Sequence, residues 1–279
     1  MGCCVMRRKR QKKKNFIIFS VICFFLLFFI SSAYSLLKQD VVVSGKARIM
    51  SEQISGGDFI ENVVDQDDGL IVDDDGSSHF VGNSDSVVNN FIRIPGDSYL
   101  WRILSIDALG NIKIIRNRDD SLESMFMENK NSPYDWAGSL VLANLKTWYQ
   151  NNLSNLNDII VQNPEWLLTE ASKNGGPTNV TILSTFINSP IGLIRNDEVL
   201  DSSGGTSSGN SVSSWLNDGY QWTMTAVARK NSQAWRMNGD KFMNSGVSTS
   251  SVYRPVIILK SSTTFSGGTG TEDDPFNVS

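Results

Sequence analysis

His79 is the only histidine in this chain, so a Ser-His-Asp triad or a histidine-based metal site would have to be built on it. It stands between Ser78 and Phe80 at the start of an apolar run. In that setting a histidine more often serves the fold or faces solvent than reacts. No spacing picks out a pair of carboxylates for acid–base work. The acidic runs Asp65-Gln66-Asp67-Asp68-Gly69 and Asp73-Asp74-Asp75-Gly76 invite a calcium reading. A calcium loop needs oxygen ligands at its first, third and fifth positions and Gly at the sixth, whereas these runs place Gly at the fifth and fourth. Gly267-Gly268-Thr269-Gly270 comes too late, with no helix after it, to cradle a phosphate. No catalytic residue, metal-ligand set or cofactor is therefore assigned, and the chain is read as not an enzyme.

Aromatic side chains are the remaining candidates for function. Trp101, Trp222 and Trp235 fall in strand-like patterns and are expected in the core. Tyr134, Trp136, Trp215 and Tyr220 fall in turn-rich stretches, where an exposed ring is suited to stack on a sugar or a partner protein. These four are the expected ligand-binding residues. Arg254, just ahead of Pro255, is expected to serve the fold by pairing with a carboxylate or carbonyl near the last strand.

The chain that must position them begins with seven cations, Arg7, Arg8, Lys9, Arg10, Lys12, Lys13 and Lys14, and no acid among them. Phe16 to Leu37 follows as an apolar run of about 22 residues, close to the roughly 20 that a helix needs to cross a bilayer core. The positive-inside rule leaves the basic tail in the cytoplasm and everything after Leu37 outside. Ser31-Ser32-Ala33 also offers a signal-peptidase site, so the segment is either a retained anchor or a signal cut after Ala33. Both place the rest of the chain outside the cytoplasm, as a single-pass cell-membrane protein in the first case.

Beyond the apolar run 18 basic residues face 29 acidic ones, an excess of about eleven negative charges. That argues against nucleic acid as a partner. All three cysteines, Cys3, Cys4 and Cys23, lie in the tail or the apolar run, so no disulfide staples the exported part. Its stability must come from a core rich in Trp and Phe.

Residues 38–75 are expected to form a stalk and acidic linker, with a Gly56-Gly57 break and clustered aspartates. From residue 76 short strands and turns dominate. Tyr99 to Ile106 and Ile112 to Arg116 flank a hairpin-like Asp107-Ala108-Leu109-Gly110-Asn111. Leu142, Leu145, Trp148, Tyr149 and Leu153 have helical spacing, and Leu156 to Ile160 suits a further turn or two. Val180 to Phe186 reads as a strand, Asn196 to Leu200 as a short helix capped by Asn196, and Ser202 to Ser214 as an exposed, mobile loop. Strands resume over 221–225, 233–237, 241 onward and 253–260, with Asn238-Gly239 suited to a type I′ turn. The expected organisation is a tail (1–14), a transmembrane signal anchor or signal peptide (15–37), the stalk (38–75) and a mostly antiparallel α+β ectodomain (76–279).

In order along the chain occur His79-Phe80-Val81-Gly82, Asn89-Asn90-Phe91-Ile92, Leu100-Trp101-Arg102-Ile103 and Gly110-Asn111-Ile112-Lys113-Ile114-Ile115. They are followed by Trp222-Thr223-Met224-Thr225, by Tyr253 to Lys260, and by Gly268-Thr269-Gly270-Thr271 up to Asp274-Pro275-Phe276. This set resembles a widespread family of exported, membrane-anchored proteins of Gram-positive bacteria whose function is uncharacterised. More distantly, the Trp-x-x-Thr strand, the Asn-Gly hairpin and the Arg-Pro-Val strand resemble C-type-lectin-like domains, which include the sulfatase-modifying enzymes. That resemblance implies ligand-facing loops between about Ser202 and Ser251. The sulfatase-modifying chemistry depends on cysteines that the exported part lacks, and calcium-dependent lectin motifs are not matched.

The reading that results is a membrane-anchored, non-catalytic surface module recognising a surface glycan or an envelope protein. The alternatives are an architectural, pilin-like envelope component and a surface enzyme.

Overall fold

Asp107 turns the chain back on itself because one carboxylate oxygen accepts two backbone amides, those of Leu109 and Asn111, at 2.9 Å each. Gly110 supplies the positive φ, +80°, that closes the turn. The apolar strands on either side then pair, as their composition predicts.

The computed structural model describes residues 56–64, 68–128, 134–174, 176–186, 189–205, 207–230 and 232–279. All of them belong to the unit Gln53–Ser279. The basic tail, the apolar segment and the first part of the expected stalk lie outside the described residues. Among the described residues no helix is long and apolar enough to cross a membrane.

In chain order the elements are α1 (Gly56–Val63), β1 (Leu70–Val72), β2 (Ser78–Phe80), β3 (Phe91–Arg93), β4 (Trp101–Ile106), β5 (Ile112–Arg116) and β6 (Glu123–Met125). Then come α2 (Leu140–Asn152), β7 (Trp166–Ala171), β8 (Val180–Phe186), β9 (Ile191–Gly192) and α3 (Asn196–Asp201). The last are β10 (Tyr220–Val227), β11 (Gln233–Asn238), β12 (Lys241–Gly246), β13 (Ser250–Val252), β14 (Val256–Leu259) and β15 (Phe276–Asn277).

Two sheets result. The first runs β1-β2-β4-β5-β14-β9, with β3 joined to β4 and β15 to β3; the second runs β12-β11-β10-β13-β6, with β7 also on β10 and β8 on β7. Pairing is antiparallel except for β10–β13, β10–β7 and β15–β3. The fold is thus mostly antiparallel β-sheet with few helices. Inward side chains of both sheets merge into one core that buries Trp101, Trp136, Trp166, Trp222 and Trp235. Helix α2 starts where Ser139 accepts the Leu142 amide at 3.0 Å, and it buries Val141, Leu142, Leu145 and Tyr149.

Several expectations need correction. The domain begins earlier than its acidic composition suggests: Ile60 of α1 is fully buried, and β1 pairs with β2. Gly56 is no linker break, since a Cβ there would collide with the Phe265 ring and come within 2.6 Å of the Thr263 carbonyl. Asp73-Asp74-Asp75-Gly76 is the tip of the β1–β2 hairpin, held by the Asp73 N–H to Ser77 O bond at 2.8 Å. The 202–214 loop is tied at both ends, because Ser202 and Ser214 are buried and bonded to each other and Val212 is fully buried.

Asn196 is not the cap of α3 but its first residue; its side chain is buried, giving to Pro177 O at 2.8 Å and taking from Thr223 at 2.7 Å. Arg195 is the cap, and its N–H gives to Glu198 at 2.9 Å. The β11–β12 turn is not type I′, since only Gly239 has positive φ, +52°, and Met237 pairs with Phe242 across a longer connection.

Helix α3 is bound to the first sheet by the ion pair of Glu198 with Lys113 of β5, whose side chains are 15% and 13% exposed, with Arg195 also 3.1 Å from Glu198. Burial opposes ionisation of Glu198, but Lys113 and Arg195 outweigh it and hold the carboxyl below its usual range. Such a group contributes stability that is complete above its unfolded pKa, about 4.3, and is lost as pH falls through the lower folded value. Lys113→Met is therefore expected to cost about 1–3 kcal/mol at neutral pH, the worth of a charged hydrogen bond. The difference from the wild type should narrow as pH drops toward 3, read from urea midpoints. A difference independent of pH would contradict the linkage.

Candidate functional site

Neighbours in a sheet that are in register share a face. Arg236 of β11 lies opposite both Trp222 of β10 and Met243 of β12. Tyr220, two residues before Trp222, shares their face, and so does Ser251, because Gln221 pairs with Val252 in the parallel β10–β13 contact. At Trp222 this face is covered: its ring meets Phe126 at 5.5 Å and its Nε1 gives to Ser124 O at 2.9 Å. At Tyr220, 43% exposed, the face runs out to solvent.

There it forms a cleft of about 340 Å³ lined by Arg118, Asp120, Glu123, Tyr220, Arg236, Ser250, Ser251 and Val252. The Arg236 guanidinium stacks 4.6 Å from the centre of the Tyr220 ring. Arg118 forms one wall. Its Nη1 gives to the carbonyls of Asp218 and Tyr220, and its Nε pairs with exposed Asp120 at 2.6 Å. Gly219 permits that approach: its φ is +67°, and a Cβ would sit 2.8 Å from Arg118 Nη1.

Among the described residues four buried side-chain polar atoms lack a hydrogen-bond partner: Trp136 Nε1, Asn217 Oδ1, Arg236 Nε and Ser251 Oγ. Two of these four line this one cleft. Ser251 is only 3% exposed. Among the described residues Arg236 also has no carboxylate partner, unlike Arg116, Arg118 and Arg195. Buried polar groups are almost always hydrogen-bonded, so two without a partner in one cleft single it out as the candidate site. A second cleft, about 290 Å³ around Arg93, Pro95, Gly96 and Asn277, differs in that its one buried carboxylate, Asp97, is already engaged.

The four aromatics expected at the site separate. Tyr220 is in the cleft. Trp215 is half-buried elsewhere, its Nε1 giving to Phe80 O at 3.0 Å and its ring lying 4.4 Å from the Arg102 guanidinium. Burial lowers the pKa of that guanidinium to about 9, with the charge of Arg254 adding to the effect. Tyr134 and Trp136 are not exposed loop residues. Both pack on Phe126, with ring centres at 5.0 and 6.1 Å; Trp136 is 1% exposed, and Tyr134 gives to Met224 O at 2.6 Å. Burial pushes the Tyr134 phenol above its usual range. Turn-rich sequence around them concealed that their rings point inward.

His79 lies on β2 in the first sheet, its Nδ1 2.9 Å from Asp73, away from the cleft strands. Arg236, Ser251, Arg118 and Glu123 were missed from the sequence. One local signal existed: an arginine between buried Trp235 and Met237 marks the outward side of its strand. Its meeting with Ser251 depends on strand order, which no local signal carries.

No family model matches the chain, and no curated protein or solved structure is significantly similar to it.

Proposed function

We propose that the chain is a non-catalytic recognition module held at the cell membrane by its N-terminal apolar segment, with residues 56–279 outside the cell and surface glycan or envelope protein as partner. The carrying observation is the cleft in which Arg236 Nε and Ser251 Oγ stand without partners beside exposed Tyr220. Donors, an aromatic ring and rim carboxylates are a recognition set. Of the two rim carboxylates Asp120 is already paired with Arg118, and the chain's one imidazole belongs to another sheet. The resemblance to exported, membrane-anchored Gram-positive proteins, and the more distant one to C-type-lectin-like domains, agree with this role.

The test is binding of the full chain, in mild detergent, to a panel of glycans and to isolated cell walls, with calcium and again with EDTA. Specific binding is expected. Tyr220→Ala should weaken it by about tenfold or more, as loss of an anchoring aromatic does, and His79→Ala should leave it unchanged. Loss on His79→Ala without unfolding would reopen a catalytic or metal role.

A second reading, an architectural envelope component, has an observation of its own. Strand β8 pairs only with β7 among the described strands, and its Ile182 and Leu183 are 58% and 51% exposed. An open apolar edge accepts a further strand. Size-exclusion of the full chain separates the two: a monomer fits recognition, a filament or large oligomer fits architecture.

A further inference from the structure

Charge and chemistry narrow what the cleft can take. Arg118 and Arg236 are balanced by Asp120 and Glu123, so the lining is neutral as a whole. Arg118 is committed to Asp120 and to two carbonyls, which leaves Arg236 as the cation open to a ligand. A planar guanidinium matches a carboxylate through two parallel hydrogen bonds. A dianionic phosphate would face the two rim carboxylates with only one open cation to offset it.

The remaining groups suit sugar hydroxyls. Ser251 offers a hydroxyl hydrogen, and exposed Glu123, with no partner among the described residues, accepts hydroxyl hydrogens. Val252 is the only aliphatic residue of the lining and is buried, 5% exposed, so a peptide side chain would find no apolar pocket.

We infer that the cleft binds a sugar carboxylate, a hexuronate residue of an acidic polysaccharide, with Arg236 and Ser251 as the donors to it. The inference rests on the recognition reading and is narrower than it. Stacking on Tyr220 holds the guanidinium in place before the ligand arrives, which lowers the ordering cost of binding.

Calorimetric titration of the full chain in mild detergent tests this, with trigalacturonate, its methyl ester, inorganic phosphate and a triglutamate peptide as probes. Trigalacturonate binds, and the ester binds about tenfold more weakly or worse, because esterification removes the charge-assisted pair. Arg236→Met lowers affinity for the acid by about tenfold and leaves that for the ester unchanged. Ser251→Ala, which leaves the Arg236–Tyr220 stack in place, lowers it by about threefold or more. Both variants keep the wild-type thermal midpoint to within a few degrees; if Arg236→Met does not, Ser251→Ala carries the test alone.

Equal affinity for acid and ester overturns the inference, as does preference for phosphate or triglutamate, or a Ser251→Ala variant with unchanged affinity. A chain that binds cell walls or neutral glycans undiminished by either substitution overturns this assignment and leaves recognition standing. A chain that binds no glycan of any kind overturns both.

Discussion

Replacing Arg254 by alanine is expected to destabilise the protein by about 4 kcal/mol and to lower its thermal midpoint by on the order of 10 °C. Arg254 lies between β13 of the second sheet and β14 of the first and is only 4% exposed. Its Nε gives to Arg116 O at 2.8 Å, and its Nη1 gives to Leu216 O at 3.2 Å and to Gln221 Oε1 at 3.4 Å. No carboxylate pairs with it among the described residues. Burial accordingly lowers its pKa to about 10, eased by the charge of Asp218 and deepened by that of Arg118. Truncation takes this donor from Arg116 O and Gln221 Oε1, leaves Leu216 O with the Gln221 amide alone, and opens a void where the side chain ran; each acceptor left open costs about 1–3 kcal/mol. Relief of the buried charge offsets part of that. Arg254→Lys should recover less than half, since a point ammonium cannot reach acceptors on separate strands as a planar fork does. A loss under about 1 kcal/mol in urea unfolding would show that the sheets are joined without it.

The second large effect is expected at Asp97. Its carboxylate takes Arg116 Nε at 2.6 Å and Nη2 at 3.1 Å, and also Trp101 Nε1 at 3.0 Å. Both side chains of the pair are 5% exposed. The guanidinium is further held by Asp119 at 2.9 Å and lies 3.9 Å over the Tyr99 ring. Burial works against the charge on Arg116, yet hydrogen bonds and charges from Asp97 and Asp119 raise its pKa. Asp97→Ala strands that buried cation and is expected to cost about 3–5 kcal/mol, moderated by Asp119. Adding Arg116→Met should restore part of the loss, because it removes the charge left unpaired. A double variant no better than the single one would locate the cost in packing at Trp101 instead.

What could be read from the chain depended on how local the cause was. The Asp107–Asn111 hairpin, helix α2, and the burial of Trp101, Trp222 and Trp235 follow from turn chemistry and periodicity within a few residues. The role of Arg254 was legible because an arginine set among apolar residues needs acceptors, and carbonyls supplied them. Residues 56–75 were misread because aspartates at the tip of the β1–β2 hairpin dominate the composition, while Ile60 and Leu70 carry the packing. Tyr134 and Trp136 were misread because a turn says that the chain is at the surface, not which way a ring points. The cleft was largely illegible. Tyr220, Arg236 and Ser251 come from β10, β11 and β13, and a parallel β10–β13 pairing between them cannot be inferred from spacing.

Hydrogen–deuterium exchange of the full chain, free and with saturating trigalacturonate, tests recognition through this cleft most directly. Slowed exchange is expected over residues 118–124, 219–222, 235–238 and 249–252, with β2 and β8 unchanged. Protection confined to β8 or to the hairpin carrying His79, with none at the cleft, would contradict it.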